Sequence, residues 1–122
     1  MKILIVDDSK AMRMIVMRHL RQAGFGHHTL DEAGNGVEAL ASVTASRPDL
    51  ILCDWNMPEM NGVDFVKAVR ATRAKEALPM IMVTTEGGEA MMNNALALGA
   101  NGYVTKPFTP ESIRAALEAY LG

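Results

Sequence analysis

One cysteine, Cys53, stands in the whole chain, so an internal disulfide is excluded. Set in the apolar run Leu50-Ile51-Leu52-Cys53, it reads as a small buried hydrophobe and not as a reactive thiol. No apolar run approaches the length of a membrane span, which excludes membrane insertion by a helix. The first apolar run, Ile3-Leu4-Ile5-Val6, is too short for the core of a signal peptide and runs straight into Asp7-Asp8, so the expectation is a cytoplasmic protein. Charge of one sign is also missing: a net charge of −2 with acids and bases interspersed leaves no footprint for nucleic acid. There is no linker, internal repeat or low-complexity tract, and 122 residues have room for one domain, 1–122, with 49% hydrophobic residues to fill its core.

What is present alternates. Four apolar residues, 3–6, end at Asp7-Asp8-Ser9; then the period changes and Met12, Ile15, Val16, His19, Leu20 and Ala23 fall at helical spacing, with Arg13, Arg18 and Arg21 on the other side and Gly24 as a stop. A weaker strand around 29–33 precedes a helix over 36–46, capped by Asn35, on which Val37, Leu40 and Ala41 are expected to face inward. The run 49–54 follows Arg47-Pro48, is closed by Pro58, and reads as a strand buried on both faces whose last residue is Asp54. Val63, Phe65, Val66 and Val69 mark a third helix to about 72. Residues 79–84 form a fourth strand with Pro at its first position. Gly87-Gly88 break the chain before a helix over 89–98 that Gly99 ends, and 101–105 is a short fifth strand leading into Lys106-Pro107-Phe108. The last helix has Thr109 as N-cap and Pro110 at its first position, with Ile113, Ala116, Leu117, Tyr120 and Leu121 inward. Five strands alternating with five helices predict a doubly wound α/β domain, a mostly parallel sheet with helices on both faces. Most of the ten methionines fall at core spacing, whereas Met14, Met17 and Met91 fit less well and suit an adaptable partner surface. None of His19, His27 and His28 reads as a metal ligand.

In a parallel sheet the strands all point one way, so the residues that close them collect along one edge, where such sheets place their ligand sites. Here that edge gathers Asp7, Asp8, Asp54, Thr84 and Lys106. Taken singly, each has a bland role: Asp8 or Ser9 as a helix N-cap, Thr84 as a strand-end hydroxyl, Lys106 as a solvated charge. Together they make a chemical device. Three crowded acids repel unless a cation sits among them, and two or three carboxylates with a backbone carbonyl and water suit Mg²⁺. With Lys106 supplying a second positive charge and Thr84 a hydrogen bond, Asp54 has what a carboxylate needs to attack phosphorus and become an acyl phosphate.

The segments Val6-Asp7-Asp8-Ser9, Asp54-Trp55-Asn56-Met57-Pro58, Met60-Asn61-Gly62, Met82-Val83-Thr84 and Gly102-Tyr103-Val104-Thr105-Lys106-Pro107-Phe108 occur in order and at family spacing, and through them nearly the whole chain resembles response-regulator receiver domains. The likeness is strongest to the stand-alone chemotaxis members. That resemblance implies a flavodoxin-like (βα)5 fold with strand order 2-1-3-4-5. It implies that Asp54 takes its phosphoryl group from a histidine kinase of chemotaxis type, that Asp8, Asp54 and the backbone carbonyl of Asn56 ligate Mg²⁺, and that Asp7 acts mainly through water. Lys106 and Thr84 would hold the phosphoryl group, Tyr103 would turn inward as Thr84 moves, and Asn56 and Glu86 would modulate the loss of phosphate. A cis bond before Pro107 is implied as well. The output surface would be that of the fourth helix, fifth strand and fifth helix, binding a target such as a flagellar switch protein, with a phosphatase as a further partner of an otherwise monomeric chain. The only reactions expected are its own phosphorylation and dephosphorylation. Gly87-Gly88-Glu89 stands where chemotaxis members often carry lysines, and Thr85 replaces a smaller residue. No output domain is expected after the fifth helix.

Three rivals share parts of this pattern. A receiver in a non-chemotaxis phosphorelay would look the same at the strand ends. A metal-dependent phosphohydrolase would need an Asp-x-Asp pair at the first strand and a cap insertion, neither of which is in the sequence. A flavin domain would need a neutral or positive loop where Asp7-Asp8 stands.

Overall fold

The computed structural model describes residues 1–55, 62–73, 78–84, 89–105 and 109–121. Its elements are β1 (Lys2–Val6), α1 (Lys10–Leu20), β2 (Thr29–Ala33), α2 (Gly36–Ser46), β3 (Leu50–Asp54), α3 (Gly62–Arg70), β4 (Met80–Thr84), α4 (Glu89–Leu98), β5 (Gly102–Thr105) and α5 (Pro110–Leu121). All strand pairs are parallel and the order is β2-β1-β3-β4-β5. The fold is therefore the doubly wound one expected, and the weak strand over 29–33 is present at the sheet's edge.

Alternation along the three inner strands builds two cores. Ile3 and Ile5, Leu50 and Leu52, Ile81 and Val83 pack with Val16 and Leu20 of α1 and with Ile113 and Leu117 of α5. The intervening residues, Leu4 and Val6, Ile51 and Cys53, Met80 and Met82, pack with Ala39 and Val43 of α2, Phe65, Val66 and Val69 of α3, and Ala95 of α4. Every residue of β3 and β4 is buried, which explains why their sequences are continuous apolar runs and do not alternate. Each fully buried Leu or Ile stabilises by roughly 1.5–3 kcal/mol, so these strands anchor whatever stands at their tips.

The caps follow the sequence closely. Ser9 Oγ accepts from Met12 N, Asn35 Oδ1 from Glu38 N, and Thr109 Oγ1 from Ser112 N, each satisfying an otherwise orphaned amide of a first helical turn. Gly99 ends α4 at φ 122°, with the Ala100 amide reaching back to the Ala95 carbonyl in a Schellman turn. The chain beyond α1 continues as a wide π-type turn, Arg21–Phe25, until Gly24 at φ 99° breaks it.

Two expectations are corrected. On α2 it is Ala39 and Val43, with Leu40 half-buried, that face the core, while Val37 and Ala41 are exposed. Apolar residues occur nearly all round this helix, and the stripe chosen by packing is 36, 39, 40 and 43, because one through 37, 40 and 41 would end on Thr44. Met17 packs partly against the α1–α5 core, whereas Met14 is exposed as expected; the Met91 side chain lies outside the described residues.

Candidate functional site

Register brings the acids together. Val6 pairs with Cys53, so Asp7 and Asp54, each one residue further on, lie level at the tips of adjacent strands. Asp54 pairs with Val83 and Thr84 with Thr105, so the tips of β4 and β5 stand beside them. Carboxylate oxygens of Asp7, Asp8 and Asp54 all lie within 4.8 Å of one another, the one such cluster of potential metal ligands among the described residues. Asp7, Asp54 and Thr84 are buried and Asp8 is exposed, so the cluster is a recess with one open side.

The bland reading of Asp8 as a helix cap is removed by the structure, because Ser9 fills that role. Asp7 accepts a hydrogen bond from Ser9 N on Oδ1 at 2.9 Å, while its own amide donates to the Ala33 carbonyl at 3.1 Å. Trp55 N donates to the Val83 carbonyl, carrying the ladder one residue past Asp54 and holding that carboxylate on a rigid backbone. Beneath it, Cys53 is fully buried; burial first, then the nearby Asp54 and Asp7 carboxylates, push its thiol well above the ordinary range. It stays protonated and serves as packing, as its place in the sequence suggests.

An all-oxygen donor set of three clustered carboxylates suits a hard divalent cation of the Mg²⁺ kind, since among the described residues no thiolate or imidazole belongs to the cluster. A cation there would relieve the mutual repulsion that crowding imposes on the acids.

Thr84 and Tyr103 belong to a second part of the site. Thr84 pairs with Thr105 and Met82 with Tyr103, so by alternation Thr84 and Tyr103 emerge from one face of adjacent strands, two residues apart on the diagonal. Thr84 is buried and Tyr103 is 42% exposed. Asn56, Glu86, Lys106, the Pro107 bond and the Thr85 to Gly88 stretch lie outside the described residues.

One residue of the site was missed in the sequence. Arg13, read as part of a solvated arginine face with Arg18 and Arg21, turns back to donate to the Asp7 carbonyl at 2.6 Å and to Glu32 at 2.9 Å. Nothing in its spacing separates it from its exposed neighbours; only the return of β2 beside β1 brings Glu32 within its reach.

Known proteins agree with this arrangement. The response regulator receiver domain pattern matches residues 3–118. The chain is 48% identical to a Chemotaxis protein CheY homolog of Campylobacter jejuni over 123 aligned residues, covering all of this chain and 93% of that protein. It is 47% identical to Chemotaxis protein CheY1 of Helicobacter pylori, covering all of this chain and 98% of that one. Among solved structures, the chemotaxis response regulator CheY4 of Vibrio cholerae superposes with a TM-score of 0.86 at 40% identity, with 98% of each chain covered. The matched residues, 3–118, include all five strands and the three clustered acids of this chain, and the chain belongs to the response regulator receiver domain family.

Proposed function

We propose that this chain is a phosphorylation-activated switch of a two-component pathway, with Asp54 as the phosphoryl acceptor and chemotaxis as its setting. The observation that carries the reading is the recess itself: three carboxylates with oxygens within 4.8 Å of one another, at the ends of the adjacent strands β1 and β3, beside a buried threonine. The chemotaxis assignment rests on the names of relatives that are 42–48% identical along nearly their full length. Their likeness also favours a cytoplasmic setting; among the described residues no helix is long and apolar enough to cross a membrane.

In this reading a phosphohistidine of a kinase is the donor. An Asp54 carboxylate oxygen forms the new P–O bond as the donor's P–N bond breaks, and the kinase's imidazole leaves with the bonding electron pair. A bound Mg²⁺ would supply positive charge to offset that on the phosphoryl oxygens. Asp8 and Asp54 would hold it through their side chains and Asn56 through its backbone carbonyl, with Asp7 acting mainly through water. Lys106 would supply a second positive charge, and Thr84 would donate its hydroxyl to a phosphoryl oxygen. Asn56 and Glu86 would modulate how fast the acyl phosphate is lost. The chain transforms only its own carboxylate and is no enzyme toward outside substrates.

Phosphorylation adds about 1.5 to 2 negative charges at Asp54. A shift of Thr84 toward them vacates space on the face it shares with Tyr103, and the half-exposed ring moves inward. This changes the α4–β5–α5 surface, where a cavity of about 280 Å³ is lined by Tyr103, Val104, Thr105, Thr109 and Ser112. A target such as a flagellar switch protein would read that surface.

The test is phosphorylation with acetyl phosphate and Mg²⁺, followed by intact mass. One phosphoryl group per chain is expected, absent without Mg²⁺ and abolished in Asp54→Asn. Labelling that survives Asp54→Asn, or sustained turnover of a phosphomonoester, would refute the switch.

A further inference from the structure

The two metal-facing acids at the tip of β1 are consecutive in sequence, so where the Asp8 carboxylate points depends on the orientation of the peptide plane joining Asp7 to Asp8. The carbonyl of that plane belongs to Asp7, and it accepts the Arg13 Nη1 at 2.6 Å. The same guanidinium pairs through Nε with Glu32 Oε1 at 2.9 Å, so one rigid fork joins α1 to the ends of β1 and β2. Asp7 is held on its other sides as well, its amide on Ala33 and its carboxylate on the Ser9 amide. Asp8 is exposed, so its placement depends on the backbone beneath it.

We infer that Arg13, anchored by Glu32, is a positioning residue for the cation site: it fixes the Asp7–Asp8 peptide and through it the ligand geometry of Asp8. This rests on reading Asp7, Asp8 and Asp54 as a Mg²⁺ site. Arg13 touches neither the cation nor the phosphoryl group; it acts through the peptide carbonyl.

Two effects of Arg13 on the cation oppose each other, and their signs differ. Its positive charge repels a cation, so removing it by charge alone would tighten binding. Its grip on the peptide pre-organises the acids, so removing it by position would weaken binding. The pairing with Glu32 at 2.9 Å offsets part of that charge as seen from the recess, and the positional effect is expected to outweigh what is left. Lysine cannot substitute: it keeps the charge, but its single nitrogen does not reproduce two N–H donors in a fixed plane.

The experiment is a Mg²⁺ titration of the unphosphorylated chain followed by the fluorescence of Trp55, which adjoins Asp54 and is buried. Arg13→Ala and Arg13→Lys are both expected to weaken binding by about tenfold, the lower end of the range for partners that orient metal ligands. Glu32→Gln, which keeps an oxygen acceptor for Arg13 but weakens the anchor by removing its charge, falls between them and the wild type. High salt screens the charge effect and leaves this order intact. Urea unfolding without Mg²⁺ shows that the variants titrated are folded, and Glu32→Gln keeps the test available if an Arg13 variant is not. Unchanged or tighter binding by Arg13→Ala, or wild-type affinity in Arg13→Lys, overturns the role of Arg13. Asp8→Asn separates the two readings: if the wild type gives no Mg²⁺ signal that Asp8→Asn removes, the cation site itself is refuted and Arg13 has nothing to position.

Discussion

β3 and β5 are strands of one sheet with opposite duties. β3 is buried at every residue and sits in the middle of the sheet, whereas β5 lies at the edge and buries only Val104 fully. The difference sets what each can do. A strand packed on both faces holds a carboxylate still, which a phosphoryl acceptor needs; an edge strand with an exposed ring can change its surface at small cost, which an output needs. β4 joins them, with Thr84 buried like β3 and paired to β5.

The comparison breaks most readily in the core. Leu52→Ala in β3 is expected to destabilise the fold by about 2–5 kcal/mol, while Thr105→Ala in β5 changes it by less than about 0.5 kcal/mol, read from urea unfolding midpoints. Comparable losses at both positions would remove the distinction between a rigid centre and a tolerant edge.

Tyr103→Ala sharpens the same contrast through function. It should leave Asp54 labelling and Mg²⁺ affinity unaltered and cost about 1 kcal/mol or less. Beryllofluoride with Mg²⁺ should then shift amide resonances at β4 without carrying the change into β5, as it does in the wild type. An undiminished response along β5 would show that the coupling bypasses the ring.

The smallest effect lies at the opposite edge of the sheet, in the turn before β2. The His27 and His28 rings touch at a tilt of 39° with centroids 4.0 Å apart, and both His28 ring nitrogens are buried without a hydrogen-bond partner. Burial, and then the neighbouring His27, lower the His28 pKa from its ordinary 6.5, with Asp49 opposing. The folded state thus disfavours protonation. Its contribution to stability is complete above pH 6.5 and falls as pH drops from there toward the lower folded value. Urea unfolding at several pH values should show His28→Asn losing less stability on acidification than the wild type; parallel pH profiles would contradict this.

Much of the fold was legible because its signals are local. Asn35 and Thr109 cap the helices they precede, Gly99 has the positive φ a helix terminus requires, and the continuous apolar runs of β3 and β4 announce burial on both faces. Helix faces were less legible where apolar residues surround the axis, as on α2. Long-range polar clamps were not legible at all. Arg70 donates to the carbonyls of Gly99 and Leu78 and to Asn101 Oδ1, which also accepts the Met80 amide, so one guanidinium ties the end of α3 to the entrance of β4 and the exit of α4. Its partners are up to 31 residues away, and no spacing rule connects them.

The sequence by itself determined that strands would end in Asp7, Asp8, Asp54 and Thr84 and that parallel strands would gather those ends, because apolar runs and turn residues act on near neighbours. Only the tertiary structure decided that Ser9 and not Asp8 caps α1, that Thr84 and Tyr103 share a face, and that Arg13 grips the peptide between the two acids. The cap is settled by the local backbone at Ser9, while the other two depend on how far one segment slides past another when the two cores close, and that register is a property of the packed sheet and not of any one stretch of chain.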